Sequence, residues 1–175
     1  MKVYIVRHGQ TDSNLAKVYN FQGEDINKNG IEQAKILSEK IKDLKYDVVY
    51  CSPFLRARHT AEIINRNNIQ TIYDERIQER NPGNLEGKPW GTTDRNEYWN
   101  YYSKNKFGTE ESVEHLFERV YSFLEDLKNK DYESVLVVAH SGVSKAFYGY
   151  FNGIPEDGNF LELGLKNGEI AEYKF

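Results

Sequence analysis

Lys2-Val3-Tyr4-Ile5-Val6-Arg7-His8-Gly9 is the stretch on which the fold turns. Val3 to Val6 is apolar and mostly β-branched, so it reads as a buried strand, and Gly9 lets the chain leave it in a tight loop. Ser134 to Ala139 repeats the pattern and ends at His140-Ser141-Gly142. Continuous apolar strands of this kind belong to a sheet covered on both faces. Asp47 to Tyr50 and Thr71 to Tyr73 read as two further strands.

Helical patterns fill the spaces between. Thr11-Asp12-Ser13 offers caps for a short helix. After Asn29-Gly30, residues Ile31, Ala34, Ile36, Leu37 and Ile41 line one apolar face to about Leu44. Ser52-Pro53 supplies an N-cap and a first-turn proline for a helix running to about Asn65. A short helix is predicted near 94–103. Ser112 caps a long one with Val113, Leu116, Phe117, Val120, Phe123, Leu124 and Leu127 inward, and another follows His140 to about Phe151. Phe160 to Lys166, Asn167-Gly168 and Glu169 to Lys174 read as a hairpin. The alternation predicts a three-layer α/β/α sandwich with a mostly parallel central sheet and an antiparallel hairpin edge. One domain is expected over residues 1–175. It carries a cap-like insertion at about 80–111, where Pro and Gly gather and aliphatics thin out.

Composition excludes several classes. A net charge of −4 over 175 residues argues against a general nucleic-acid binder. No apolar run approaches the ~20 residues of a membrane span. The apolar stretch at the N-terminus is too short for a signal peptide and there is no Asn-x-Ser/Thr sequon, so a cytoplasmic location is expected. Cys51, the single cysteine, rules out an internal disulfide and a cysteine metal cluster.

Open α/β sheets bind ligands beyond the carboxyl ends of their strands. His8 and Arg7 stand at the end of the first strand and His140 at the end of the fourth. Arg56 lies just past the second and Glu79 just past the third. Together these residue types point to phosphoryl chemistry. Guanidiniums give a phosphate bidentate donors. An imidazole can attack phosphorus. A carboxylic acid can protonate a leaving alkoxide and then take a proton from water. Nothing in the set calls for a metal or an organic cofactor.

Val6-Arg7-His8-Gly9-Gln10-Thr11 with Asn14 resembles the opening signature of the histidine phosphatase superfamily, in its phosphoglycerate-mutase-like branch. The resemblance runs on through Gly23, Asp25, Gly30 and Gln33-Ala34. It continues in Ser52-Pro53-Phe54-Leu55-Arg56-Ala57, Thr60-Ala61, and Glu79 with Gly83, Glu86 and Gly87, and ends in Val137-Val138-Ala139-His140. Gln10 and Thr11 stand where the acid-phosphatase branch has a further Arg and Pro. The resemblance implies that His8 is the nucleophile and forms a phosphohistidine. It implies that Arg7, Arg56 and Asn14 bind the phosphate, that His140 stabilises the transferring group, and that Glu79 is general acid and then base. Gln22 and Gly23 match a loop position that touches the phosphate. Two departures stand out: Gly108-Thr109-Glu110-Glu111-Ser112 replaces Gly-Glu-Ser, and His140-Ser141-Gly142 replaces His-Gly-Gly.

Other readings compete. Asn14 can simply cap a turn, Cys51 reads as a small core residue, and His59 and His115 read as surface or packing residues within helices. Gly83 to Pro89 faintly suggests a P-loop, but it is one residue short between glycines and has Pro89 where Ser or Thr would hold Mg²⁺. Trp90 to Phe107 holds six aromatics in 18 residues. Trp90, Tyr98, Trp99 and Tyr102 are therefore candidates for a cap that selects the substrate, with a mini-core or a homodimer surface as the plain alternative. Three functions follow. The first is a metal-independent phosphatase acting on a small phosphorylated metabolite, with neither nucleic acid nor membrane as partner. The second is a phosphoglycerate mutase, disfavoured by the short chain. The third is a phosphate-binding module without turnover, which loss of His8, Glu79 or His140 would have favoured.

Overall fold

The computed structural model describes all of residues 1–175. The first strand, β1 (Lys2–Arg7), lies inside a five-stranded sheet. Along it Val3 and Ile5 turn to one core, while Tyr4 and Val6 turn to another. That division is the period-two geometry of a strand buried on both sides. In the further strands β2 (Val48–Cys51) and β4 (Ser134–Ala139), Tyr50 and Val137 join Ile5, and Cys51 and Val138 join Val6.

A short helix, α1 (Asp12–Ala16), follows β1 under a Thr11 cap, and each core then has its own longer helices. Ala34 and Leu37 of α2 (Lys28–Lys40) and Ala57 and Ala61 of α3 (Leu55–Ile64) close one face. Leu116, Phe117 and Val120 of α5 (Val113–Lys128) and Ala146 and Phe147 of α6 (Ser141–Asn152) close the other. The result is the expected α/β/α sandwich. With β3 (Thr71–Tyr73) and β5 (Ile170–Lys174) the strand order is β3-β2-β4-β1-β5. All neighbours are parallel except β5, which runs antiparallel to β1.

The antiparallel edge is present but the hairpin is not. Residues 160–166 form turns instead of a strand. Phe160 is fully buried, and the Phe160 and Leu161 carbonyls accept from Lys145 Nζ at 2.6 and 2.5 Å, so they are unavailable for a ladder. Gly168, at φ 73°, turns the chain, and its N–H donates to the Arg7 carbonyl at 3.1 Å. β5 therefore lies against β1 and has no partner in the segment before it.

Three smaller expectations also change. The N-cap of α3 is Phe54, not Ser52, and it has no side-chain cap bond. α2 begins at Lys28 under an Asn27 cap and ends at Lys40, short of Leu44, and Ile36 is exposed. The short helix near 94–103 contracts to α4 (Arg95–Tyr98). Gly9 and Gly30 have a steric role here. A Cβ on Gly30 would lie 2.2 Å from the Gln10 carbonyl oxygen, so only glycine lets α2 press against the loop after β1.

Candidate active site

Strand register assembles the floor. Arg7 is paired with Ala139 across β1 and β4, so the next residues, His8 and His140, leave the sheet side by side. Their rings meet edge-to-face with centroids 5.1 Å apart. The pairing of Cys51 with Val138 brings Ser52 alongside, and Ser52 Oγ lies 2.7 Å from His140 Nε2. Ser52 Oγ also accepts from the N–H of Phe54, the N-cap residue of α3, at 3.4 Å, so its hydroxyl bridges His140 and the start of that helix.

His8 Nδ1 lies 2.7 Å from the Gly9 carbonyl oxygen. A carbonyl can only accept, so Nδ1 carries the proton and Nε2 keeps its lone pair. Burial, then the charges of Arg56 and Arg7, hold His8 well below its ordinary 6.5. Burial, then Arg56, His8 and Arg7, do the same for His140. Both rings are neutral at neutral pH. Arg7 donates to the Leu165 carbonyl at 2.9 Å, and Arg56 donates to the Phe21 and Gln22 carbonyls at 3.0 and 3.3 Å. Neither guanidinium meets a carboxylate within ion-pair distance. Arg7 Nε, Arg56 Nε and His140 Nδ1 are buried without any hydrogen-bond partner. Orphaned buried polar nitrogens are costly, so their concentration around one histidine is a functional signal.

Glu79 reaches the start of α6. Its Oε1 accepts from Gly142 N–H and from Arg80 N–H, each at 2.9 Å. A Cβ on Gly142 would stand 2.3 Å from Oε1, so any larger residue there displaces the carboxylate. Of the His-Gly-Gly positions, this is the one the carboxylate contacts; the other, Ser141, tolerates its side chain. Behind Glu79, Arg119 donates to the Arg76, Gln78 and Glu79 carbonyls at 2.6, 2.8 and 3.1 Å, while Glu111 accepts from its Nε at 2.7 Å. That pair clamps the loop bearing Glu79.

Above the floor is a cleft of about 860 Å³. Arg7, Arg56, Asn14, Gln22, Glu79, Trp90, Tyr98 and Trp99 line it, and His8 and His140 are buried beyond its lining. Asn14 closes a capping box with Thr11, and its Oδ1 also accepts from Asn167 at 3.0 Å, so it both caps and faces the cleft. Gly23 is not part of the lining. Tyr102 is 56% exposed, packs edge-on to Tyr101, and likewise lies outside the lining. His59 and His115 have partners the sequence did not suggest, in Asp25 and Glu111.

Sequence reasoning missed Ser52, the Arg119–Glu111 clamp and Lys145. Lys145 had a signal, being the one charged residue in Ser141–Asn152. It is 3% exposed, lines the cleft, and is pushed down to about 7, first by burial and then by Arg7. No group of three or more His, Cys, Asp or Glu side chains is arranged to hold a metal ion, and no helix is long and apolar enough to cross a membrane.

A family model described as "Histidine phosphatase superfamily (branch 1)" matches residues 3–175. The chain belongs to that superfamily. It is 33% identical to the uncharacterized phosphatase PhoE of Bacillus subtilis, over 99% of this chain and 90% of that protein. It is 29% identical to phosphoserine phosphatase 1 of Hydrogenobacter thermophilus, over 98% and 85%. Among solved structures, an Entamoeba histolytica phosphoserine phosphatase in complex with 3-phosphoglyceric acid superposes with a TM-score of 0.81 at 26% identity, covering 99% and 90% of the two chains. The histidine phosphatase described here is thus an enzyme of the phosphoglycerate mutase family, and its relatives are mostly named as phosphatases.

Proposed function

We propose that this enzyme hydrolyses a small phosphomonoester through a phosphohistidine at His8. The observation that carries the reading is the ring of buried, unpartnered nitrogens on Arg7, Arg56 and His140 around a neutral His8 whose Nδ1 is held by Gly9. Phosphate oxygens are the acceptors such a set suits. His8 Nε2 attacks phosphorus in line with the leaving oxygen. The P–O bond breaks as the N–P bond forms, and Glu79 as the acid gives its proton to the departing alkoxide. Water then attacks phosphorus, Glu79 takes its proton, and the N–P bond breaks to release inorganic phosphate. With the Ser52 hydroxyl as donor to His140 Nε2, the His140 proton sits on Nδ1 and meets a phosphoryl oxygen. Asn14 and Gln22 border the same oxygens, and Trp90, Tyr98 and Trp99 of the 80–111 insertion cover the leaving group.

The test is His8→Ala on nitrophenyl phosphate in the presence of chelator, with mass spectrometry of the alkali-quenched wild type. Activity should fall by at least about 10⁴-fold, and phosphate should appear on the His8 peptide. Full activity in the variant, or loss of wild-type activity in chelator, overturns the reading. Isomerisation of 3-phosphoglycerate without phosphate release would make the enzyme a mutase instead. Phosphate binding with no turnover across a substrate panel would make it a binding module. Glu79→Gln should slow an alkyl phosphate far more than nitrophenyl phosphate, whose leaving group needs no proton.

A further inference from the structure

Asn167-Gly168 reads in sequence as the turn of a hairpin, yet no hairpin forms and the turn itself does not demand an asparagine. Gly168 takes the left-handed φ of 73°, whereas Asn167 lies outside that region. The segment that ends in this pair hangs from α6. Lys145 Nζ, 5.0 Å from the Trp99 ring centroid on the aromatic wall that Trp90, Tyr98 and Trp99 give the cleft, donates to the Phe160 and Leu161 carbonyls. Ser144 Oγ accepts from Leu165 N–H at 2.9 Å. The segment then meets the floor of the cleft at three points. The Leu165 carbonyl accepts from Arg7 Nη1 at 2.9 Å, and Gly168 N–H donates to the Arg7 and His8 carbonyls at 3.1 and 3.3 Å. Asn167 Nδ2 donates to the His8 carbonyl and to Asn14 Oδ1, each at 3.0 Å.

Those two contacts use both N–H groups of one side-chain amide. A carbonyl only accepts, so the Asn167 atom facing His8 is nitrogen and not oxygen. The same reasoning fixes Asn14. Thr11 N–H only donates, so the Asn14 atom it meets at 3.2 Å is Oδ1. Oδ1 therefore takes N–H groups from Thr11 and Asn167, while Nδ2 donates to Asn20 Oδ1 at 3.0 Å. One Asn14 N–H is left for a ligand, on a residue that lines the cleft together with Arg7 and Arg56. A flipped amide would turn an oxygen to the phosphate and lose the bond from Asn167 as well. His8 is held from two sides. Its N–H donates to the Ala139 carbonyl at 3.0 Å, and its carbonyl is taken by Asn167 and Gly168. Asn167 is outside the lining of the cleft, so its influence on a phosphate runs through His8 and Asn14.

We infer that Asn167 is a positioning residue for phosphoryl transfer: its one amide locks the main chain of the nucleophile and turns the Asn14 nitrogen towards the phosphate. This rests on the phosphohistidine reading and adds to it a residue more than 150 positions away in sequence. A neutral amide suits the task, because an aspartate of the same shape would set an oxygen against two oxygens. In-line attack depends on such fixed geometry, since a small misplacement of the nucleophile costs rate without breaking any contact to substrate.

The experiment measures kcat/KM on nitrophenyl phosphate and on an alkyl phosphate, and the inhibition constant of orthovanadate, all well below the unfolding midpoint of each variant. Asn167→Ala should lower kcat/KM by about tenfold to a hundredfold, and by the same factor for both substrates, because attack at phosphorus is affected and the leaving group is not. The inhibition constant of vanadate should rise by about tenfold. Asn167→Asp keeps the shape but removes the donors, so it should lose at least as much. In an Asn14→Ala background, Asn167→Ala should cost at least about threefold less than in the wild type, since part of its effect runs through Asn14. If Asn167→Ala does not fold, the isosteric Asn167→Asp decides in the same two backgrounds. Full activity in folded Asn167→Ala, wild-type activity in Asn167→Asp, a loss confined to one leaving group, or equal losses in both backgrounds overturns the inference. A wild type that fails to hydrolyse nitrophenyl phosphate overturns the phosphomonoesterase reading instead.

Discussion

The floor of the cleft and its aromatic wall are held by different physics. Arg7, His8, Ser52 and His140 leave the ends of paired strands, so the register of β1, β2 and β4 fixes their spacing before any side chain interacts. Trp90, Arg95, Tyr98 and Trp99 stand on a short helix and a 3-10 turn. Ring stacking and remote contacts hold them: Trp90 Nε1 donates to the Val18 carbonyl at 2.9 Å, and Phe160 N–H donates to the Trp99 carbonyl at 3.0 Å. A floor built this way suits chemistry that requires fixed geometry. A wall built this way can change its substrate without disturbing the sheet. Substitutions on the floor should therefore act on kcat and those on the wall on KM.

Gly142→Ala tests the floor hardest. The new Cβ would meet Glu79 Oε1 at 2.3 Å, with Leu116 and Trp99 atoms at 3.1 Å behind it, so the carboxylate has to move. Turnover of an alkyl phosphate should fall by about 10²- to 10³-fold, as expected for a misplaced general acid. Nitrophenyl phosphate should suffer much less. Steady-state kinetics on the two substrates would show it, and equal losses would mean that Glu79 is not the acid. Ser52→Ala comes next. His140 loses the hydroxyl that orients it, and kcat should drop by roughly tenfold to a hundredfold. Ser52→Thr, which keeps the hydroxyl, should recover most of that. Nitrogen NMR should also show the His140 proton moving between Nδ1 and Nε2 in the alanine variant. An unchanged kcat would leave Ser52 a packing residue.

The two regions were not equally legible in sequence. Strand-end residues were, because an apolar run ending in Arg7-His8-Gly9 or in Ala139-His140 states both where the strand stops and which side chains stand at its end. The sandwich followed from the same runs. Ser52 was not legible as a partner of His140, since Ser-Pro is also a helix start and the choice depends on a strand distant in sequence. The 160–166 segment misled for a related reason. Leu161, Leu163 and Leu165 alternate like a strand, but Lys145 takes the carbonyls a ladder would need. Tyr102 was expected over the site along with its aromatic neighbours, but the bridge between Asn100 and Asn159 and the contact with Gly158 hold it outside. Composition placed the aromatics in one segment but could not say which of them faced inward.

Floor and wall should also separate by pH. His8 and His140 are depressed below 6.5 in the fold, so the unfolded chain binds protons there that the folded chain refuses. Stability should fall as pH drops from about 6.5 towards their folded values, by at most about 1.4 kcal/mol per pH unit for each ring. Lys145, ordinarily at 10.5 and at about 7 in the fold, has the same sign in another window. Between those two values the unfolded chain holds the extra proton, so stability gains as pH rises. Urea unfolding across pH 5 to 10 should show Lys145→Met flattening only the alkaline window and His140→Ala only the acid one. If Lys145→Met alters the acid window instead, the assignment of the two regions is wrong.

The smallest effect belongs to the outer part of the wall. Trp90 is half-buried and gives Arg95 the face of its ring at 4.7 Å. A cation–π contact at such a site is worth about 0.5–1 kcal/mol, which corresponds to roughly a two- to fivefold change. Trp90→Leu keeps an apolar side chain but releases the guanidinium, so KM should rise by about that factor, with a smaller change in kcat. The contrast with Gly142→Ala makes the measurement decisive. Both residues border the same cleft, yet one variant should move kcat by orders of magnitude and the other should move KM by a small factor. If Trp90→Leu instead lowers kcat as Gly142→Ala does, the wall takes part in the chemical step, and the division between a floor that reacts and a wall that selects fails.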